Sequence, residues 1–287
     1  MTSITSKRRH PADAVMLTVI YICAGLAVAL LLGIAVFVTI KGVPNINWEF
    51  LTSVTSVLRG TTGIAGNIVN TLYIIVLTML MATPIGVGAA IYLNEYAKPG
   101  KFVNMIEFAT ETLSGIPSII FGLFGMTFFA ETLGLSYTIL TGSITMALMV
   151  LPLITRNTQE ALKTVPDSYR SGAFGLAAGK WHMIRTILLP SAMPGIITGV
   201  ILAVGRIVGE SAALLFTAGS AKILPPDLFG CVKKIIEPGG TLTIQLYLSA
   251  TKGEFGVAFG IAFVLLVIVL GINFLAKGLA KHFDVRR

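Results

Sequence analysis

The stretch SAMPGIITGVILAVGRIVGESAALLFT, residues 191–217, decides the fold class. It is apolar except for Arg206 and Glu210, and it is long enough to cross a hydrocarbon core of about 30 Å, which takes roughly 20 helical residues. A charge at the centre of such a span costs about 2.5 to 3.5 kcal/mol on insertion scales. The sequence therefore predicts a membrane helix whose two charges must be paired or face water.

The rest of the chain is equally poor in charge. Only 12% of the 287 residues are charged, 55% are hydrophobic, and the mean hydropathy is +0.87. Soluble domains carry about 25% charged residues, so this composition excludes a soluble enzyme. We expect an all-α, polytopic membrane protein with six transmembrane helices, at Ala14–Ile40, Ile68–Leu93, Thr112–Ala130, Tyr137–Thr155, Ser191–Thr217 and Phe255–Ala276.

The distribution of lysine and arginine predicts the orientation of these spans. Most basic residues fall on one side if the amino terminus, with Lys7, Arg8 and Arg9, is cytoplasmic. Both termini are then cytoplasmic, and the net charge of +8 reflects membrane topology rather than a nucleic-acid partner. We divide the chain into 1–60 (tail, first transmembrane helix and outer loop), 61–280 (transmembrane domain with a cytoplasmic loop at 156–190) and a cytoplasmic tail at 281–287.

Arg206 and Glu210 are the strongest candidates for contact with a solute. Spaced four apart, they are expected to share one helical face and to neutralise each other when no solute is bound. A guanidinium donates two parallel hydrogen bonds to an oxyanion, whereas a carboxylate only accepts and so favours an anion that still carries a proton, such as phosphate. The alternative is an ion pair that only locks the bundle.

Other polar and small residues extend this prediction. Asn67 and Asn70 either line the path or hydrogen-bond a neighbouring helix, and Gly-x-x-x-Gly pairs permit close helix approach. The candidate path residues are Arg206, Glu210, Ser211, Thr217, Asn67 and Asn70, and the candidate packing glycines are Gly195, Gly199, Gly205 and Gly209.

The chain carries no catalytic motif. Residues 175–181 read GLAAGKW, which lacks the spacing and the hydroxyl of a phosphate-binding P-loop. No zinc-protease, Cys-x-x-Cys or Gly-x-Ser-x-Gly motif occurs, and the three histidines are scattered. We expect neither an enzyme nor a bound metal or cofactor.

Residues 160–190, EALKTVPDSYRSGAFGLAAGKWHMIRTILLP, resemble the cytoplasmic coupling loop of ABC importer permeases. In that family the loop docks on the ATPase subunit. The family's Glu-Ala-Ala aligns with Ser171, Gly172 and Ala173, and its glycine with Ala177. The resemblance implies ATPase contacts by Tyr169, Arg170, Ser171, Gly172, Ala173, Ala177, Leu189 and Pro190.

A second resemblance is more specific. GRIVGESAALLFTAG, residues 205–219, is similar to the fifth-span signature of phosphate-import permeases, and residues 63–97 and 113–125 resemble other parts of the same family. The ending SAALLFTA is closer to the PstA type than to its partner, the PstC type. This implies the type I ABC importer permease (MetI-like) fold and importance of Arg206 and Glu210 for phosphate passage.

The same resemblance implies partners and a location. We expect a bacterial inner-membrane subunit that works by alternating access with a PstC-type permease, two ATPase subunits that use ATP, and an external phosphate-binding protein. That protein delivers the anion to the outer loops, near Lys233 and Lys234 unless these are simply solvated. Lipid surrounds the spans.

Two other functions remain open. One is import of a different oxyanion, such as sulfate, molybdate or phosphonate, by the same kind of permease. The other is an ion-coupled secondary carrier in which Arg206 and Glu210 relay protons, although the inverted repeats frequent in such carriers are not found. A membrane-embedded enzyme lacks a nucleophile or metal cluster.

Overall fold

The structure is a computed structural model that describes residues 11–56, 61–224 and 228–282. Lys7, Arg8 and Arg9 and most of the predicted tail at 281–287 lie outside these residues. The elements in chain order are α1 (Pro11–Gly42), α2 (Trp48–Thr52), β1 (Val54–Ser56), β2 (Thr61–Ile64), α3 (Ala65–Ile91), α4 (Lys101–Gly115), α5 (Ser118–Phe124), α6 (Ile139–Lys163), α7 (Asp167–Gly175), α8 (Lys180–Met183), α9 (Leu189–Gly209), α10 (Ala212–Thr217), α11 (Leu228–Lys233), α12 (Leu242–Thr251) and α13 (Phe255–His282). The protein is an all-α membrane protein, with one short antiparallel hairpin, β1–β2, that the sequence did not predict.

Within the described ranges, five helical runs are long and apolar enough to cross a membrane: Val15–Asn45, Ala65–Tyr96, Ile139–Lys163, Lys180–Gly209 and Phe255–Leu275. Short π-helical turns, Tyr92–Tyr96 and Ile184–Leu188, continue α3 and join α8 to α9. A further span, the third in chain order, is broken, because its two helical pieces, Lys101–Gly115 and Ser118–Thr132, meet at 104°. The predicted span Thr112–Ala130 therefore contains a break near its start, and its helix begins at Ser118 rather than at Thr112.

The break in the span Lys101–Thr132 follows from Pro117. The proline ring clashes with a helical residue before it, so Ile116 adopts an extended conformation with ψ of 130°. Helix α4 ends at Gly115 as a result, and α5 starts in a new direction after Pro117. Of the two pieces, Ser118–Thr132 covers most of the predicted span Thr112–Ala130.

The core of the bundle is formed by α3, α6 and α9. Helix α6 is the most enclosed, whereas α1 contacts the rest mainly at one end, where Phe37 meets the Phe259 ring at 5.6 Å. Gly195 packs against Ala161 and Gly199 packs against Asn157. The residue numbers of these contacts rise along α9 and fall along α6, so the two helices are antiparallel.

We call the end of the bundle that carries α7 the α7 end, and the end formed by the described parts of residues 41–66 and 218–254 the opposite end. At the opposite end, residues 218–224 and 228–241, called the fold-back segment, fold back across the start of α3. Gly239 donates its amide to Ala218 O at 2.8 Å and Gly240 donates to Ala221 O at 2.8 Å. Helix α12 then packs beside α13.

Candidate functional site

The predicted span at residues 191–217 is interrupted at its functional pair. Helix α9 ends at Gly209, Glu210 is extended with φ of −83° and ψ of 124°, and α10 starts at Ala212. The Glu210 carboxylate accepts a hydrogen bond from the Ala213 amide at 3.1 Å, so it caps the first turn of α10. The Thr243 hydroxyl donates to Glu210 O at 2.8 Å and fixes the break against α12.

Arg206 and Glu210 therefore do not share a helical face. Neither an ion pair nor a hydrogen bond joins Arg206 to any residue that the structure describes. The prediction that the two side chains neutralise each other within this chain is wrong. The physical reason is that the carboxylate satisfies a free amide of α10 instead of the guanidinium.

Arg206 lies near the middle of the bundle and faces outwards. The contacts of Gly195 with Ala161 and Gly199 with Asn157 set the register, which brings Arg206 level with about Val150, close to the midpoint of α6. The side chain is exposed on the surface of this chain. A cation at that depth is costly in lipid, so this face must meet water or another protein chain.

The surface around Arg206 is open. Gly205 and Gly209 are exposed and have no atom within 4 Å of the position a Cβ would occupy. Leu202, on the same face, is 51% exposed. Packing by Gly205 and Gly209 is therefore wrong within this chain; these glycines leave room beside the guanidinium.

A cleft of about 190 Å³ lies at the helix break. Ser211, Phe216, Ile244 and Tyr247 are among its lining residues. Ser211 is half-buried at its edge, and Tyr247 is 49% exposed, so neither side chain is enclosed within this chain. Tyr247 was missed at the sequence level because a single tyrosine in an apolar stretch carries no signal.

The other predicted path residues have structural roles. Thr217 is fully buried, donates to Ala213 O at 2.8 Å and packs against Gly125. Asn67 is 1% and Asn70 0% exposed. Neither asparagine nor Thr217 faces an open surface of this chain, so the structure does not support a path role for them.

The two asparagines hold the fold-back segment in place. The Asn67 amide donates to Gly240 O at 2.8 Å, and the Asn70 amide donates to Ala221 O at 2.9 Å and Gly240 O at 3.2 Å. These bonds join the start of α3 to residues 218–241. Hydrogen bonding to a neighbouring element, one of the two predictions for these residues, is thus what the structure contains.

The two lysines predicted near the docking place of a binding protein differ. Lys233 is exposed, whereas Lys234 is 1% exposed, with its ammonium 3.5 Å from Pro238 O and 3.9 Å from a Glu237 oxygen. Burial lowers the pKa of Lys234 below its ordinary value. Lys234 is not available to a partner protein.

Helix α7, in the predicted coupling loop, presents apolar side chains to solvent. Tyr169 is 49%, Phe174 51% and Leu176 87% exposed, and Ser171, Gly172 and Ala177 are exposed as well. The helix ends in a Schellman motif, since Ala178 donates to Ala173 O at 3.0 Å and Ala177 to Phe174 O at 2.9 Å. An exposed apolar patch of this kind marks an interaction surface.

Four residues predicted to contact the ATPase face elsewhere. Ala173 is 4% exposed and packs into the bundle, and Arg170 points inwards to Glu95 at 2.9 Å. Leu189 and Pro190 are half-buried in the first turn of α9, where Leu189 packs against the buried cluster that includes Ala173. These contacts with an ATPase are therefore not supported, because the side chains already pack within this chain.

The fold is that of a polytopic membrane protein, and comparison with known proteins identifies its class. The family described as binding-protein-dependent transport system inner membrane component matches residues 82–287. The chain belongs to this family, whose members are permease subunits of ABC transporters. ATPase and substrate-binding subunits are the partners that this class implies.

Individual relatives cover nearly the whole chain. It is 35% identical over 271 residues to the probable ABC transporter permease protein YqgI of Bacillus subtilis strain 168, across 90% of this chain and 91% of the relative. It is 31% identical over 276 residues to the phosphate transport system permease protein PstA of Xylella fastidiosa strain Temecula1, across 95% of this chain and 94% of the relative.

A solved structure supports the fold. A chain of a bacterial alginate ABC transporter, crystallised with its alginate-bound periplasmic protein, superposes with a TM-score of 0.68 over 96% of both chains. The identity is 13%, so this likeness concerns the fold alone. The expected MetI-like permease fold and the PstA-type family resemblance are confirmed.

Proposed function

We propose that this chain is one of two permease subunits of an ATP-driven importer of inorganic phosphate. The observation that carries the proposal is the exposed Arg206 at the middle of the bundle, beside Gly205 and Gly209. An unpaired guanidinium at that depth is suited to bind an oxyanion in a water-filled path between two permeases. The name of the Xylella fastidiosa relative supports phosphate as that anion.

The helix break adds a second contact of the right chemistry. Glu210 lies at the end of α9, one residue before the cleft at Ser211. A carboxylate accepts hydrogen bonds only, so it favours an anion that still carries a proton over a fully ionised one. At neutral pH this selects phosphate over sulfate.

In this proposal the α7 end is cytoplasmic and both termini are on that side. The exposed face of α7 docks on an ATPase subunit, which binds and hydrolyses ATP, and this chain holds no cofactor. A homologous PstC-type permease covers the face of Arg206. An external phosphate-binding protein delivers the anion at the opposite end, and the spans open alternately to either side.

Import of another oxyanion by the same route is the main alternative. The test is ATP-dependent uptake of labelled phosphate by the reconstituted complex, with sulfate, molybdate and phosphonate as competitors. We expect Arg206→Ala to reduce uptake at least a hundred-fold, because a charge-assisted bidentate contact contributes about 3 kcal/mol. We expect Glu210→Gln to weaken discrimination against sulfate.

The matched control is Arg156→Gln, which removes an exposed arginine of α6. It should leave uptake unchanged. Normal phosphate uptake by Arg206→Ala would refute the proposed contact, and inhibition by molybdate or sulfate stronger than by unlabelled phosphate would refute the proposed substrate.

A further inference from the structure

The guanidinium of Arg170, on the inward face of α7, uses all of its hydrogen-bond donors. Its Nη2 donates to Glu95 at 2.9 Å and to Leu162 O at 3.2 Å, and its Nε also donates to Glu95 at 3.3 Å. Its Nη1 donates to Val165 O and to Asp167, both at 3.0 Å. Four of these five donors thus join α7 to the end of the α3 run, to the last turn of α6 and to the residues after it, whereas the bond to Asp167 stays within α7.

Among the residues that the structure describes, only Arg170 and Asn94 compensate the burial of the Glu95 carboxylate. Its side chain is 5% exposed, and the Asn94 amide donates to the same carboxylate oxygen at 2.7 Å. The π-helical turn Tyr92–Tyr96 carries Glu95 at the end of the α3 run. The bond to Glu95 raises the pKa of Arg170, so the guanidinium stays charged.

Weaker contacts surround this ion pair. Ala173 belongs to a buried cluster that includes Leu162 and Val165, against which Ile91 of α3 packs. The Lys180 ammonium lies 4.8 Å from the centre of the Tyr96 ring. Apolar contacts of small side chains can slide, whereas a charged fork of hydrogen bonds fixes both direction and distance.

Helix α3 continues from this pair to the opposite end of the bundle. Along its length Gly86 packs on Ile154, and the Thr78 hydroxyl donates to Ser143 O at 3.3 Å. At its start Asn70 binds residues 221 and 240 of the fold-back segment. A displacement applied at Glu95 therefore acts on an element that is fastened to residues 218–241.

We propose that the Arg170–Glu95 pair is the link that passes a movement of α7 to α3, and through α3 to residues 218–241 at the opposite end. The proposal rests on the proposed function, because it takes α7 as the place where the ATPase acts. Arg170 and Glu95 are positioning residues, and neither contacts the transported anion.

The test uses the whole reconstituted complex and a readout that does not depend on the substrate. Ser220 is exposed in the fold-back segment. In a background with Cys23 and Cys231 changed to serine, Ser220→Cys is labelled with a membrane-impermeant maleimide, with and without ATP plus vanadate. The change in labelling rate measures the movement that reaches residues 218–241.

We expect the nucleotide-dependent change in labelling to fall at least five-fold in Glu95→Gln, the lower end of the range for coupling between sites. Arg170→Lys keeps the positive charge but not the planar set of five hydrogen-bond donors, so its nucleotide-dependent change in labelling should fall as well. The control is Arg156→Gln, which opens an exposed pair of 3.4 Å and should behave as the parent. Phosphate imported per ATP hydrolysed should fall in parallel with the labelling change.

A second variant separates loss of the link from loss of the fold. Glu95→Cys with Arg170→Cys is joined by a cleavable, membrane-impermeant bis-methanethiosulfonate reagent applied only at the α7 end, so that Ser220→Cys at the opposite end stays free for labelling. We expect the labelling response of the joined protein to return, and to disappear when a reductant cleaves the bridge in the same sample. Misfolding cannot produce a reversible response.

The possible results bear separately on the Arg170–Glu95 link and on the proposed substrate. A parent-like labelling response in Glu95→Gln, no response in the parent itself, or no recovery on bridging overturns the link. Absence of phosphate uptake in a parent that shows the labelling response refutes only the substrate proposed above.

Discussion

Ala177 holds a backbone conformation that L-amino acids rarely adopt. Its φ is 56°, which the Schellman motif at the end of α7 requires. The family's coupling loop has glycine at the aligned position, and glycine adopts this conformation without strain. The departure from the family pattern at this residue thus has a measurable energetic consequence.

We expect Ala177→Gly to stabilise the protein by about 0.5 to 1 kcal/mol. The gain is the relief of roughly 1 to 2 kcal/mol of strain, less the extra freedom of glycine in the unfolded chain. The thermal midpoint of the purified complex should rise by about 2 °C. The control Ala178→Gly, one residue on, should lower it, and a fall in both variants would contradict this account.

Burial of the Lys234 ammonium lowers the stability of the folded chain by an amount that depends on pH. Burial lowers its pKa below the ordinary 10.5, so between the two values the unfolded chain binds more protons than the folded one. Stability then rises with pH across this window. Below the folded pKa, the full cost of burying the charged ammonium remains.

Lys234→Met should therefore be more stable than the parent by on the order of 1 kcal/mol at pH 7. This advantage should shrink as the pH approaches 10, which thermal midpoints measured from pH 7 to 10 would show. Lys233→Met, at the exposed neighbour, should change little at any pH. An advantage that is absent at pH 7, or constant with pH, would contradict the prediction.

At the scale of elements, α3 acts as the support of the fold-back segment. Each of the bonds from Asn67 and Asn70 satisfies a backbone carbonyl of residues 218–241. Losing such bonds in a buried place costs about 1 to 3 kcal/mol, although after loss of Asn70 alone Ala221 O keeps the Gly240 amide and Gly240 O keeps the Asn67 amide. The segment would then open more often while the helices stay folded.

We expect Asn70→Ala to speed trypsin cleavage after Lys222 or Lys233 by roughly five- to thirty-fold. The measurement is limited proteolysis of the complex, followed by mass spectrometry of the fragments. Asn273→Ala is the matched control, because the Asn273 amide bonds only a carbonyl of its own helix, Val269 O, at 2.9 Å. Equal cleavage rates in the two variants would exclude this role for α3.

At the scale of the whole molecule, one face of α9 carries a charge near the middle of the bundle that no other part of the described chain covers. Arg206 lies at mid-depth with open space beside it, and Leu202 is exposed one turn earlier. A second permease over this face would shield the guanidinium from lipid. Without it, the chain would hold an unpaired charge in the membrane.

We expect the chain expressed without a second permease to be degraded faster than in the complex. Arg206→Leu should raise the level of the lone chain several-fold, since it removes an insertion cost of about 2.5 to 3.5 kcal/mol, while abolishing uptake in the complex. Leu202→Arg, which adds a charge to the same face, should lower the level. Pulse-chase labelling of both variants measures this, and an unchanged lifetime for Arg206→Leu would contradict it.

The sequence by itself determined the membrane class, the approximate positions of four spans and the residue types available for anion contact. These follow from local properties: apolar length, charge spacing and the family motifs at residues 160–190 and 205–219. Pro117 was visible too, but the 104° bend depends on how the two pieces pack after the helix stops.

Only the tertiary structure decided which side chains are free. Glu210 caps α10 rather than pairing with Arg206, Asn67 and Asn70 bind a segment far along the chain, and Arg170 turns inwards to Glu95. Spacing along one helix cannot anticipate these partners, because each lies on another element or beyond a helix break. Hydrogen bonds to buried groups are decided by what the fold brings within about 3 Å, and that is set by the packing of the whole bundle.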